Sequence, residues 1–405
     1  INYKKTASSF SLATAKGRQS HFTEEHHLFR KSFRDFLEKE VRPHIDQWEK
    51  DGQLPRTIYK KFGEMGYLGL NRPKEYGGMN LDIWYMLIFD EEMARMNSGG
   101  FCAAIGAHSL LALTHIAAEG NEAQKQKYLV PGIKGEKIGC LAITEPFAGS
   151  DVKAIQTTAI RAGDHFIVNG SKTFITNGVL SDFIIAVVKT NPEAEAKGMS
   201  LLIIDRDTPG VSASFLDKLG WHASDTGEIA FVNVKVPIEN LLGVENKGFF
   251  YIMQHFVSER LSMATAAVSA SSYALALTLR YLNERKVFNK KLNRFQVLRH
   301  RIAQMSAEIE MNRQFVYSLY HRYQQGEYLV KEAAMAKLLA TQLSDKVMTQ
   351  CLQMFGGNGF MEGYPLARMF RDSRLGQIGG GTSEILCEII SKAMIDQQDG
   401  YLKIV

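Results

Sequence analysis

The stretch HFIVNGSKTFITNG, His165 to Gly178, decides how the rest of the chain is read. Its β-branched and aromatic residues come in short runs broken by Asn-Gly, which is strand text with turn signals. The Asn169-Gly170 pair predicts a hairpin turn at that point. The same texture continues in FIIAVVKT, SLLIIDRD and EIAFVNVKV. Residues 138–245 are therefore expected to form a central β domain, mostly antiparallel.

On either side of that block the period changes. TEEHHLFRKSFRDFLEKEV, from Thr23, opens with a capping residue and an acidic first turn, then sets Leu28, Phe29, Phe33, Phe36 and Leu37 on one face. Pro43 interrupts this helix, and helical text resumes to about residue 137, with turns at EYGGMN and NSGG. After Gly248 the chain is helical again and almost free of proline. There Leu298, Ile302, Met305, Ile309, Val316, Leu319 and Tyr323 form the apolar stripe of a bundle helix. The prediction is an α+β chain: a tail over 1–20, an N-terminal helical domain over 21–137, the β domain, and a helical bundle over 246–405.

Composition narrows the function classes. At 405 residues, 45% hydrophobic and 22% charged, the chain reads as globular and large enough for two or three packed domains. A net charge of +5 without a basic block argues against nucleic acid and permits an anionic small ligand. Cys102, Cys140, Cys351 and Cys387 form no CxxC pair, so neither a metal site nor a disulfide framework is expected. FCAAIGAHSLLALTHIAA, from Phe101, is apolar but carries two histidines, which favours a buried helix over a membrane span. The first twenty residues lack acidic side chains, as the remnant of a transit peptide or a disordered bacterial N-terminus does.

Generic motifs are absent: no Walker A loop, no HExxH, no GxSxG, and no βαβ context for a dinucleotide fingerprint. What stands out is QIGGGTSEIL, Gln377 to Leu386, three glycines in front of a helix start capped by Thr382 or Ser383. Such a run is either an ordinary turn needing positive φ or bare backbone for a closely approaching ligand.

Taken together, ITEPFAGSDV, NGSKTFITNG, ENKGFFYIM, ERKVF, QMFGGNGF and RDSRLGQIGGGTSEI resemble the signatures of the flavin-dependent acyl-CoA dehydrogenases, in the right order along the whole chain. The resemblance implies an N-terminal helical domain, a β domain and a C-terminal four-helix bundle holding FAD and acyl-CoA between them. It implies a homotetramer, a dimer of dimers, that passes electrons to an electron-transferring flavoprotein. The compartment it implies is cytoplasmic for a bacterial source and the mitochondrial matrix for a eukaryotic one.

By the same resemblance Leu141, Ile143, Thr144, Phe174, Ile175 and Thr176 lie against the flavin ring, Phe174 stacking and Thr176 bonding N5. Ser150 lies near the flavin and the CoA arm. Arg285, Phe288, Gln296, Gln353, Met354, Gly356 and Gly357 hold the FAD pyrophosphate and adenosine across a subunit interface, with Thr382 and Glu384 also on the cofactor. Phe250, Val257, Ser258, Arg260 and Gly381 are implied substrate contacts. Read alone, Phe174 is a core strand residue and Arg285 a helix-end cation. Three residues depart from the family pattern: Phe147 and Asn289 replace glycines, and Gly379 replaces a common tyrosine.

The implied reaction removes an α-proton and a β-hydride from a thioester, so a carboxylate base must face the flavin across the substrate. Most of the family carries it as Glu at the position of Gly380, where this chain has none. In the long-chain and isovaleryl branches it sits on a bundle helix in a stretch ending Glu-Arg-Leu, which here is Glu259. Glu362 and Glu384 are rivals. The backbone N–H of Gly380 is the implied donor to the thioester oxygen, and a carboxylate at 259 or at 380 is expected to reach the same α-carbon. Two other readings remain: a dehydrogenase or oxidase of an acyl-carrier-protein thioester, and a non-catalytic flavin or acyl-CoA scaffold.

Overall fold

The computed structural model describes residues 21–395; the readings made for 1–20 and for the last ten residues lie outside them. The first element of the described residues is α1 (Glu24–Glu40), where Thr23 and His26 cap each other and Phe33 and Leu37 are buried. It ends just before Pro43, and α2 (Ile45–Asp51) and α3 (Arg56–Glu64) follow. The rest of the first helical layer is α4 (Ile83–Ala94), α5 (Gly99–Gly106), α6 (Leu113–Glu119), α7 (Glu122–Gln124) and α8 (Val130–Ile133). Between α5 and α6 the helix widens into π geometry at Ala107–Ala112. This places His108 so that Nδ1 accepts from Gly139 N at 3.0 Å while Nε2 donates to the Gly132 carbonyl at 3.0 Å. The apolar helix anticipated from Phe101 is thus tied into the protein core.

An eight-stranded sheet follows: β1 (Gly139–Ala142), β2 (Thr158–Ala162), β3 (His165–Thr176), β4 (Phe183–Lys189), β5 (Met199–Asp205), β6 (Val211–Phe215), β7 (Thr226–Pro237) and β8 (Leu241–Leu242). Its order is β6-β7-β3-β2-β4-β5-β8, antiparallel apart from β1 and β2, which run parallel to β4. FIIAVVK and MSLLIID are buried on both faces. Ile185, Val187, Leu201 and Ile203 pack on one side with Leu113, Ile116 and Tyr128 of the helical layer and Ile252. Ile184, Ala186, Val188, Leu202 and Ile204 fill the other core with Val234 and Val236.

The predicted hairpin at Asn169-Gly170 is not there. Both residues lie inside β3, and the turn is Gly163-Asp164, with Gly163 at φ +65° and Ala162 paired to His165. At Asn169-Gly170 the pairing with β7 slips by a bulge. A Cβ on Gly170 would lie 2.5 Å from Thr157 Oγ1, so this glycine serves a close approach rather than a turn. The Asn169 side chain accepts from Asn233 N at 2.8 Å and satisfies the slipped strand.

The second helical part consists of α9 (Gly248–Glu284), α10 (Gln296–Gln324), α11 (Val330–Phe355), α12 (Pro365–Ser373) and α13 (Ser383–Ile395), with a short β9 (Lys286–Val287) and β10 (Lys290–Lys291) hairpin after α9. Leu261, Ala264 and Val268 of α9 meet Met305, Ile309 and Val316 of α10 and Ala336, Ala340 and Val347 of α11 in one core. The three parts join at Asp372, whose carboxylate accepts from Gly99 N at 2.8 Å and Trp221 N at 2.7 Å.

Candidate active site

The glycine run forms a left-handed turn ahead of α13, with Gly380 at φ +64° and Gly381 at φ +95°. Thr382 is the cap, its Oγ1 accepting from Ile385 N at 3.3 Å. Glu259, on α9, points at this turn: a Cβ placed on Gly380 would lie 3.5 Å from Glu259 Oε1 and 2.5 Å from Met263 Sδ. Burial raises the Glu259 carboxyl above its ordinary value, against the opposing pull of Arg260 and Lys337. The rival carboxylates are placed differently. Glu362 is paired with Arg371 on the surface, and Glu384 is exposed in the first turn of α13.

Arg260 is 5% exposed and stacks over the Phe256 ring at 5.4 Å, and its buried Nε has no hydrogen-bond partner among the described residues. Ser383 Oγ is likewise unpartnered among the described residues. Of the other implied substrate contacts, Phe250 is exposed, Ser258 Oγ donates to the His255 carbonyl at 2.9 Å, and Val257 is buried among bundle core residues.

The implied flavin wall is assembled by a buried ion pair. Lys172 is 0% exposed, and its Nζ donates to Glu145 Oε1 at 2.7 Å and to the Ile143 carbonyl at 3.1 Å. Thr173 N donates to the Thr144 carbonyl at 2.8 Å, so the Leu141–Thr144 and Phe174–Thr176 segments stand side by side. The β3 pairing slips again between Lys172 and Ile175. This slip presents Phe174 at φ +61° and 70% exposed, while Ile175 turns into the core. An aromatic residue on left-handed backbone is uncommon and is retained where it has a surface to meet. Ser150 and its neighbour Gly149 are exposed, and Phe147 stands at the tip of the preceding turn, 86% exposed.

The third set gathers at one end of the bundle. The Tyr281 ring stacks on Phe355 at 4.1 Å, and Asn358 Nδ2 donates to Tyr281 Oη at 3.0 Å. These contacts hold the last turn of α9, which leads into Arg285, against the end of α11, which leads into Gly356 and Gly357. Arg285, Gln296, Gln353, Gly356 and Gly357 are all exposed, and Met354 is buried beneath them. Phe288 and Asn289 form the two-residue turn between β9 and β10, at φ +48° and +58°. Asparagine therefore fills the usual glycine position because it tolerates left-handed backbone. Phe288 is 89% exposed.

Three family descriptions cover this framework: "Acyl-CoA dehydrogenase, N-terminal domain" over residues 23–136, the middle domain over 140–234 and the C-terminal domain over 246–395. The chain belongs to the acyl-CoA dehydrogenase family. Members are oxidoreductases acting on CH–CH bonds, and the family is FAD-dependent. The mitochondrial long-chain specific acyl-CoA dehydrogenase of Sus scrofa is 40% identical over 377 residues, 92% of this chain and 87% of that protein. A short-chain specific acyl-CoA dehydrogenase of Clostridium acetobutylicum is 39% identical over 91% of this chain and 97% of its own length. The crystal structure of an acyl-CoA dehydrogenase from Geobacillus kaustophilus superposes with a TM-score of 0.90 at 42% identity, covering 93% of this chain and 99% of that one.

Sequence reasoning gave no role to the ammonium groups that hold these walls, Lys172 and Lys337. A signal for Lys337 was present. In EAAMAKLLATQLS it shares the i, i+4 stripe of Ala333 and Thr341, all three buried. A single lysine on an otherwise small, buried face requires an acceptor. Lys172 has the same character in a strand.

Proposed function

We propose that this acyl-CoA dehydrogenase oxidises fatty acyl-CoA thioesters to trans-2-enoyl-CoA with bound FAD, passing the electrons to an electron-transferring flavoprotein. The observation that carries the reading is the desolvated Glu259 carboxyl aimed at a turn of bare glycine backbone. FAD supplies the acceptor for the β-hydride. Glu259 takes the α-proton, and the Gly380 N–H donates to the thioester oxygen as negative charge develops there. Arg260 and Gly381 border the substrate, with Phe250, Ser258 and Ser150 along its approach, while Val257, buried in the bundle core, backs them from within.

The residues suit the cofactor on two observations: exposed Phe174 on strained backbone beside Thr176, and a second exposed aromatic, Phe288, in the turn that follows Arg285, with two uncrowded glycines, Gly356 and Gly357, after the end of α11. The second cluster, with Gln296 and Gln353, is assigned to the neighbouring subunit's FAD in a homotetramer, Arg285 pairing with pyrophosphate oxygens. Arg285→Ala is expected to release FAD on dilution more readily than the parent, read by flavin fluorescence after gel filtration. Equal retention would remove Arg285 from the cofactor.

Straight-chain esters of medium to long length are expected to outpace short branched ones. A Cβ at Gly379 would find only Leu375, no nearer than 3.8 Å, so the tyrosine common there in the family is replaced by space. Anaerobic bleaching of the flavin by palmitoyl-, octanoyl- and isovaleryl-CoA and by acyl-carrier thioesters tests this. Fast bleaching by a carrier thioester alone would overturn the CoA assignment, preference for isovaleryl-CoA would overturn the chain-length assignment, and bleaching by none would leave a binding scaffold.

A further inference from the structure

Lys337 lies in the N-terminal half of α11, 0% exposed, where an ammonium is costly unless it does something specific. Its Nζ donates to the carbonyl of Gly381 at 2.6 Å. That carbonyl belongs to the turn in which Gly380 and Gly381 both hold left-handed backbone. Glycines in that region are freer than any other residue to rotate their peptide planes, so the turn needs an external clamp to keep one N–H aimed. The charged side chains facing the ammonium are Glu259 and Arg260, both on α9, and the turn itself presents only backbone. One cation therefore touches the donor turn and faces the proposed base on another helix.

We propose that Lys337 is a positioning residue of the dehydrogenation, clamping the Gly381 carbonyl so that the Gly380 N–H and the Glu259 carboxylate keep a fixed separation around one α-carbon. The inference rests on the assignment of Glu259 as base. The clamp is a charge-assisted hydrogen bond, stronger than a neutral one, and its charge favours the ionised form of Glu259. Burial pulls Lys337 down to about 8, so it gives up its proton within the range where the enzyme can be assayed. Deprotonation weakens the clamp and removes the attraction that keeps Glu259 ionised.

The test follows α-proton exchange into D₂O, by NMR, from a medium-chain acyl-CoA carrying two methyl groups on the β-carbon. This substrate has no β-hydrogen to lose, so exchange reports proton abstraction alone. The parent holoenzyme is expected to show an acid limb, where Glu259 becomes protonated, and an alkaline limb near pH 8. Lys337→Met should lower the plateau roughly ten- to a hundredfold, erase the alkaline limb and move the acid limb to higher pH. Lys337→Gln retains a neutral donor, one bond shorter, and should lie between the two in rate, also without an alkaline limb. FAD content and melting temperature identify a variant that has lost its fold, in which case Lys337→Gln alone decides. Parent-like rate and pH profile in a folded variant, or an alkaline limb that survives in it, would overturn the inference. Exchange that persists in Glu259→Gln would instead overturn the base assignment, so the two failures are distinguishable.

Discussion

Glu259→Gln is expected to slow anaerobic reduction of the bound flavin by an acyl-CoA by roughly 10²–10⁴-fold, the span typical of losing a general base. FAD content should stay normal, because no implied flavin contact involves this side chain. Glutamine keeps the length and the helix but cannot accept the proton. In the parent the same step should depend on pH. Burial raises the Glu259 carboxyl, so below that raised value the group is protonated and inactive, and the rate climbs as pH rises through it. A glutamine variant reducing the flavin at the parent rate would return Glu259 to the role of a half-buried helix acid.

The geometry also bears on moving the base to position 380. Both positions address one spot, since a Cβ on Gly380 would lie 3.5 Å from Glu259 Oε1. That Cβ would also lie 2.5 Å from Met263 Sδ, on backbone at φ +64° that disfavours any side chain. Glu259→Gly with Gly380→Glu is therefore not a simple transfer. Met263 has to give way first.

Glu145→Gln should have the second large effect, this time on stability. The Glu145 carboxylate accepts from Gln156 N at 2.5 Å, Thr157 N at 3.0 Å and Lys172 Nζ at 2.7 Å, with Glu145 6% and Lys172 0% exposed. Burial works against this carboxylate, yet Lys172 and the backbone donors hold it below its ordinary value of 4.5. Removing its charge strands a buried ammonium, which costs about 3–5 kcal/mol. The variant should unfold at lower urea concentration and hold FAD less well, since the pair ties the Ile143 segment to the strand carrying Phe174. In the parent this contribution is complete above pH 4.5 and is lost as pH falls through the depressed folded value. An unchanged urea midpoint would contradict the account.

What the sequence made legible, and what it hid, follows from how local each feature is. Strand and helix texture is written in period, so the helical and β stretches could be read directly, and αL tolerance explains Asn289. Asn169-Gly170 misled because the same dipeptide serves a hairpin turn or a bulge. The choice is made by Thr157, a residue on another segment that needs the space beside Gly170. The π-helical stretch at Ala107–Ala112 carried no sequence signal, and the histidine it aims shows its purpose only once Gly132 and Gly139 are in place. Glu259 and Gly380 are 121 positions apart, and nothing in spacing or composition joins them; resemblance to the family did. Lys337 stands on a stripe of small residues that marks it as buried, but the carbonyl it holds lies on another segment, and neither its acceptor nor that of Lys172 is written near it in the sequence.

The proposed chemistry depends on Glu259 as the group that removes the α-proton. The most direct measurement is exchange of the α-hydrogens of a β,β-dimethyl acyl-CoA with D₂O, in the parent and in Glu259→Gln, each loaded with FAD to the same level. The prediction is steady exchange in the parent and at least a hundredfold less in the variant. Equal exchange in the two proteins would contradict it.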